Sequence, residues 1–133
     1  DSVDSERLAA ALDAALPEGR ILPVLVQVKL TGKESQSGVA PEGLPGLLES
    51  MKRFTRLRVE GLMGIAPDIE PAEAARPSFR LLRELRDRHL PGGLLSMGMS
   101  RDFEVAVEEG ADLVRIGTQI FTQPSPASRG GNA

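Results

Sequence analysis

LLSMGMSRDFEVAVEEGADLVRIGTQIF, residues 94 to 121, holds two strand-to-loop transitions in succession. The apolar Leu94 and Leu95 run into Ser96-Met97-Gly98-Met99-Ser100. Phe103, Val105, Ala106 and Val107, followed by Gly110, predict a short helix with a glycine stop. Asp112 to Ile116 predicts a second short strand, which Gly117-Thr118 breaks and from which another helical turn can open. Two adjacent units therefore end in loops of Gly, Ser and Thr. Such loops present backbone N–H groups and hydroxyls, and a following helix adds the positive end of its dipole. An anion, phosphate first, suits that combination. The same residues after a strand also serve a plain βα turn; two such loops with Arg115 in the last strand favour the anion.

Working outward, residues 4–16 predict a helix capped by Asp4 or Ser5, with Leu8, Ala11, Leu12, Ala15 and Leu16 on one face. Residues 21–30 predict a strand, with Val24, Val26, Val28 and Leu30 on one face and Leu25, Gln27 and Lys29 on the other. That half-polar pattern fits a barrel strand whose inner face turns polar near the mouth. A polar loop follows to Gly38, then a helix over 42–53, a strand over 57–65 and a long helix over 71–89, in which Pro77 bends the helix or marks its true start. In the strand, Gly61 and Gly64 mark close approach or bends. The order α-β-α-β-α-β-α-β implies a parallel sheet with helices outside. An open doubly wound sheet and part of a (β/α)8 barrel both fit. A whole barrel takes about 250 residues, and the loops after its last two strands are a common phosphate site. No G-x-G-x-x-G follows a strand, which disfavours a dinucleotide-binding sheet.

Composition narrows the classes. With 133 residues and 41% apolar content, the chain can bury its own core. Aromatics are only 3%, without Trp or Tyr, so a base-stacking surface is disfavoured. The net charge of −3, without a patterned Lys/Arg block, argues against nucleic acid as a partner. The absence of Cys excludes disulfides and thiolate metal sites, and the lone His89 makes no ordinary zinc site. His89 reads as a solvent-facing residue at a helix end. No apolar run has membrane-span length and no signal peptide is visible, so a cytoplasmic protein away from membranes is expected. The chain begins Asp1-Ser2-Val3 without Met, as a cut or processed chain would.

Four segments occur in order and spacing: Thr31-Gly32-Lys33-Glu34-Ser35-Gln36-Ser37-Gly38, Gly61-Leu62-Met63-Gly64-Ile65, Leu95-Ser96-Met97-Gly98-Met99-Ser100-Arg101-Asp102 and Val114-Arg115-Ile116-Gly117-Thr118. Together they resemble the pyridoxal phosphate homeostasis protein family, barrel proteins similar to the alanine racemase N-terminal domain. The opening Asp1 to Ser5 is similar to the end of the family's fourth strand. The resemblance implies a (β/α)8 barrel with pyridoxal 5′-phosphate (PLP) at its C-terminal mouth. Ser100, Gly117 and Thr118 would hold the cofactor phosphate, and Arg115 would face the pyridine nitrogen. A guanidinium is always charged and accepts no hydrogen bond, so it keeps that nitrogen unprotonated and the ring a poor electron sink. That suits cofactor carriage with little or no catalysis. The competing reading of Arg115 is an ion pair between barrel layers.

The family's Schiff-base lysine lies on a first strand with no counterpart here, so no catalytic residue is assigned, nor any metal ligand. The resemblance thus covers the C-terminal part, about strands 5 to 8, with residues 1–122 in the barrel and 123–133 a disordered tail. The implied partners are PLP and the remaining N-terminal half, in a protein monomeric when complete. Lys29 stands where the family usually has Asn, and Gln36 where it often has Lys. Lys29 is either a relocated Schiff-base lysine or a pore-edge lysine paired with a carboxylate. Competing functions are a barrel enzyme acting on a phosphorylated substrate, a PLP-dependent amino-acid racemase, and a non-catalytic interaction fragment with raw sheet edges.

Overall fold

Val24, Val26 and Val28 are almost wholly buried, while the alternating Leu25, Gln27 and Lys29 stay half-buried. The period of two that predicted a strand therefore sorts its side chains between a covered and an open face. In the computed structural model, residues 2–31, 37–67, 70–116 and 119–122 are described, the last segment as backbone only. Six strands form one sheet in chain order: β1 (Ser2–Val3), β2 (Leu22–Lys29), β3 (Leu57–Ile65), β4 (Leu94–Ser96), β5 (Leu113–Ile116) and β6 (Gln119–Thr122). The first five pair in parallel and β6 pairs antiparallel to β5. The order never reverses, whereas a doubly wound sheet reverses at its switch point.

Helices α1 (Glu6–Ala15), α2 (Leu44–Met51), α3 (Arg76–His89) and α4 (Phe103–Glu108) connect the parallel strands. Leu44 and Leu47 of α2, Phe79 and Leu82 of α3, and Ala106 of α4 join Val26, Leu62, Leu95 and Val114 in one aliphatic core. Fully burying a side chain such as Phe79 or Leu82 contributes about 1.5–3 kcal/mol. Gly64 lies where α3 crosses β3: a Cβ there would come 2.5 Å from Leu30 Cδ1 and 3.2 Å from Leu82 Cδ2. The bends expected at Gly61 and Gly64 are thus close approaches, since a Cβ at Gly61 would meet the backbone of Leu94.

The register between β2 and β3 shifts once. Val24 pairs with Val59 but Leu25 pairs with Gly61, which leaves Glu60 as an extra residue. Leu57 and Val59 lie against the core before the bulge, and Leu62 after it. Arg58 and Glu60, two residues apart on the other face, form an ion pair at 2.9 Å.

Several local expectations are decided between alternatives or corrected. The helix over 71–89 is a 3-10 turn (Ala72–Ala75) followed by α3, and Pro77 sits in its first turn, where a missing N–H costs nothing. The helix over 42–53 divides likewise into a 3-10 turn (Pro41–Gly43) and α2. Ser5, not Asp4, caps α1, its Oγ accepting from Leu8 N at 3.1 Å. The inward face of α1 is Ala9, Leu12 and Leu16, whereas Leu8 is 39% exposed and Ala11 and Ala15 face solvent. The small Ala9 lets the helix seat closely, and Asp13 on that side accepts a hydrogen bond from Arg56 N at 3.0 Å. The helical turn expected after Gly117-Thr118 is instead β6, which pairs along the edge of β5. Residues 123–133 lie outside the described residues.

Candidate functional site

Parallel neighbours open their loops at the same end. β4 and β5 pair at Ser96 and Leu113, and Met97 N donates to Leu113 O at 3.0 Å. The loop after β4 therefore runs alongside β5, with Gly98 level with Arg115. Gly98 has φ of 103°, and a Cβ there would come 2.7 Å from Ala106 Cβ. Only glycine lets this loop fold back while α4 packs beneath it. Beyond it, Asp102 Oδ1 accepts from Met99 N at 2.7 Å and Asp102 N donates to Met99 O at 3.1 Å. This closed turn places Ser100 and Arg101 at an exposed tip. Behind β4, Asp112 Oδ2 accepts from Leu95 N at 2.9 Å while Asp112 N donates to Leu95 O at 2.8 Å.

Arg115 is anchored at both ends. Its backbone N donates to Gly98 O at 2.9 Å. Val114, its neighbour, is buried in the helix-side core, so Arg115 faces the open side of the sheet. There its Nη2 donates to Met63 Sδ at 2.9 Å. Among the described residues Arg115 joins no ion pair, so the carboxylate partner of the competing reading is not found. A thioether is a weak, uncharged acceptor. It orients the guanidinium without neutralising its charge.

A shallow cleft at the ends of β3, β4 and β5 is walled by Met63, Ser96, Met99 and Arg115, with Gly64 and Gly98 in its floor. Its volume is about 10 Å³, hardly one water molecule. The motif 61–65 names Met63, but its contact with Arg115 is a tertiary fact; an apolar residue between two glycines reads as core. Gly117 and Thr118 lie outside the described residues, as do Lys33 and Gln36. Lys29 sits at the end of β2, level with Ile65, its N–H bonded to Val39 O at 2.8 Å. Three strand spacings separate it from Arg115, about 14 Å along the sheet. Lys52 pairs with Glu49 at 3.1 Å on the surface of α2. His89, expected to face solvent, is half-buried and lines a separate 350 Å³ hollow between the ends of α2 and α3. Among the described residues no group of three or more His, Asp or Glu side chains is placed to hold a metal.

Outside the sheet, α4 ends against α3 through Glu109, which is 5% exposed. Its carboxylate meets Arg76 at 2.7 Å, Arg80 at 3.3 Å and Arg83 at 3.1 Å. The Arg83 contact is an attraction without hydrogen-bond alignment, since Oε1 has no hydrogen-bond partner. The Arg76 hydrogen bond holds Glu109 below the ordinary carboxylate range, against the opposing effect of burial, with Arg80 assisting. Arg76 also binds Glu73 and Glu108, and these partners raise its pKa further.

The model of the alanine racemase N-terminal domain family matches residues 2–124. The chain belongs to this family. A pyridoxal phosphate homeostasis protein of Aquifex aeolicus is 45% identical over 128 residues, covering 90% of this chain and 55% of the relative. A protein of the same name from Pseudomonas aeruginosa is 45% identical over 122 residues, with 90% and 53% covered. Among solved structures, PipY of Synechococcus elongatus PCC7942 without PLP matches with a TM-score of 0.75 and 36% identity, covering 87% of this chain and 57% of PipY. PipY with PLP bound matches at 0.64 and 32%, with the same coverage. The chain spans about half the length of the curated relatives it matches. The sheet is accordingly a portion of the family's (β/α)8 barrel, and the family is the one its motifs resemble. No helix among the described residues is long and apolar enough to cross a membrane.

Proposed function

We propose that this chain forms the phosphate and ring-nitrogen side of a PLP site, in a protein that carries the cofactor for PLP homeostasis with little or no catalysis. The observation that carries this reading is Arg115, directed to the open face at the loop ends, where among the described residues its guanidinium meets a thioether and no carboxylate. A guanidinium so placed suits a ring nitrogen that is to stay unprotonated. Ser100, Gly117 and Thr118 would hold the phosphate. The loop after β4 and the end of β5 lie side by side, which supports one shared anion site. When bound, PLP supplies an aldehyde for reversible capture by an amine and a ring able to withdraw electrons. The residues of this chain orient it, and the choice of arginine over a carboxylate at the ring nitrogen limits that withdrawal. The compartment is proposed to be the cytoplasm, and the complete protein to be monomeric.

The test is absorbance titration with PLP. The native protein should shift the near-visible band of added PLP, and R115E should alter that shift and weaken binding about tenfold, equivalent to about 1.4 kcal/mol. An unchanged band and affinity in R115E would refute the assignment of Arg115.

A further inference from the structure

We propose that Met63 is a site of reversible oxidation by peroxide, and that its sulfoxide captures the Arg115 guanidinium. Three of the four methionines of the chain, Met63, Met97 and Met99, line the cleft. They differ in what surrounds them. Met97 is 2% exposed and belongs to the core cluster, whereas Met63 does not, and Met99 is 43% exposed. Met63 is 5% exposed, lies in the cleft wall and has its sulfur 2.9 Å from Arg115 Nη2. Among the described residues, Met63 is the cleft methionine whose sulfur contacts a cation.

The chemistry balances without a further reagent. A sulfur lone pair attacks one oxygen of hydrogen peroxide, the O–O bond breaks and an S–O bond forms. The sulfur is oxidised by two electrons, the peroxide is reduced, and the proton of the transferred oxygen passes to the departing hydroxide to give water. The product changes the contact in kind. A thioether accepts weakly, whereas a sulfoxide oxygen carries a strong bond dipole and a directed lone pair. Facing an always-charged guanidinium at this distance, it forms a charge-assisted hydrogen bond. Arg115 is then engaged on the strand side of the cleft and less available to a ligand. The consequence for cofactor binding rests on the PLP reading; the oxidation and the capture of Arg115 do not.

The test uses the full chain, with M99L and M63L/M99L as companions. Met-to-Leu changes nearly conserve volume and should be tolerated. Hydrogen peroxide is applied, peptides are mapped by mass, and the rate of Arg115 labelling by phenylglyoxal is followed. We expect one added oxygen on the Met63 peptide in M99L. Arg115 labelling should slow about tenfold, the scale of a hydrogen bond to a charged group, and methionine sulfoxide reductase with thiol should restore it. In M63L/M99L peroxide should leave the labelling unchanged. A Met63 peptide that gains no oxygen while native Met99 is fully oxidised would overturn the proposal. So would a Met63 sulfoxide that leaves Arg115 labelling at its original rate. In a parallel arm, PLP affinity should fall on oxidation of M99L and not of M63L/M99L. If the reduced protein neither binds PLP nor shifts its absorbance, the PLP reading fails while the labelling arm still judges Met63.

Discussion

At Gly98 the backbone and the packing make the same demand. Its φ of 103° disfavours any side chain, and the space for a Cβ is taken by Ala106. G98A should therefore destabilise the chain by about 1–3 kcal/mol, seen as a lower urea midpoint at an unchanged slope. An unaltered midpoint would mean that the loop relaxes freely. Single residues differed in how legible they were. Gly98, Ser100 and Arg115 stand out in sequence, because two glycine and hydroxyl loops after successive strands, with an arginine in the second strand, favour an anion site over plain turns. The orientation of Arg115 also follows from alternation, since Val114 must face the core. Met63 was not legible as its partner, because 52 residues separate the two and nothing local distinguishes a thioether in a cleft from one in a core. The roles of Gly117 and Thr118 remain expectations from their motif.

At the level of elements, alternation and helical period located β2, β3 and α3 closely, because each buries one face against a single core. The register shift in β3 and the inward face of α1 were not readable. Both depend on which neighbour lies above, and an Ala-rich helix such as α1 offers several apolar stripes of equal length. The contact between α3 and α4 illustrates an energetic point of the same kind. Glu109 is held below its ordinary pKa mainly by Arg76. A carboxylate depressed on folding stabilises fully above its unfolded value, about 4.3, and that stability is lost as pH falls through the lower folded value. The native chain should thus lose stability on acidification below about pH 4.3. E109Q should lower stability at neutral pH by about 1–3 kcal/mol, towards the low end because Arg80 is half exposed and screened, and should flatten the acid slope. Chemical denaturation at a series of pH values measures both. An acid slope identical in E109Q would assign the titration elsewhere, with Glu73, also lowered by Arg76, the first alternative.

For the molecule as a whole, the sheet has helices against one face and polar side chains such as Gln27, Lys29 and Arg115 on the other. The three lysines of the chain are distributed accordingly. Lys52 is paired on a helix, Lys33 lies outside the described residues, and Lys29 stands about 14 Å from Arg115. Borohydride reduction of this chain with PLP, followed by peptide mapping, should therefore yield no stoichiometric pyridoxyl lysine. A full adduct at Lys29 would make it the cofactor lysine. The extra residue in β3 bears on how this architecture tolerates changes in length. Glu60 stands alone opposite β2, so removing it lets Val59 and Gly61 become direct successors, and Leu62 and Met63 keep their faces. Removing Leu62 instead would turn the remainder of the strand over and carry Gly64 away from Leu82. Loss of codon 60 should cost little more than an exposed ion pair, about 0–1 kcal/mol, whereas loss of codon 62 should leave no folded protein. Gene variants one codon shorter in β3 should survive selection for folding at that one place in the strand.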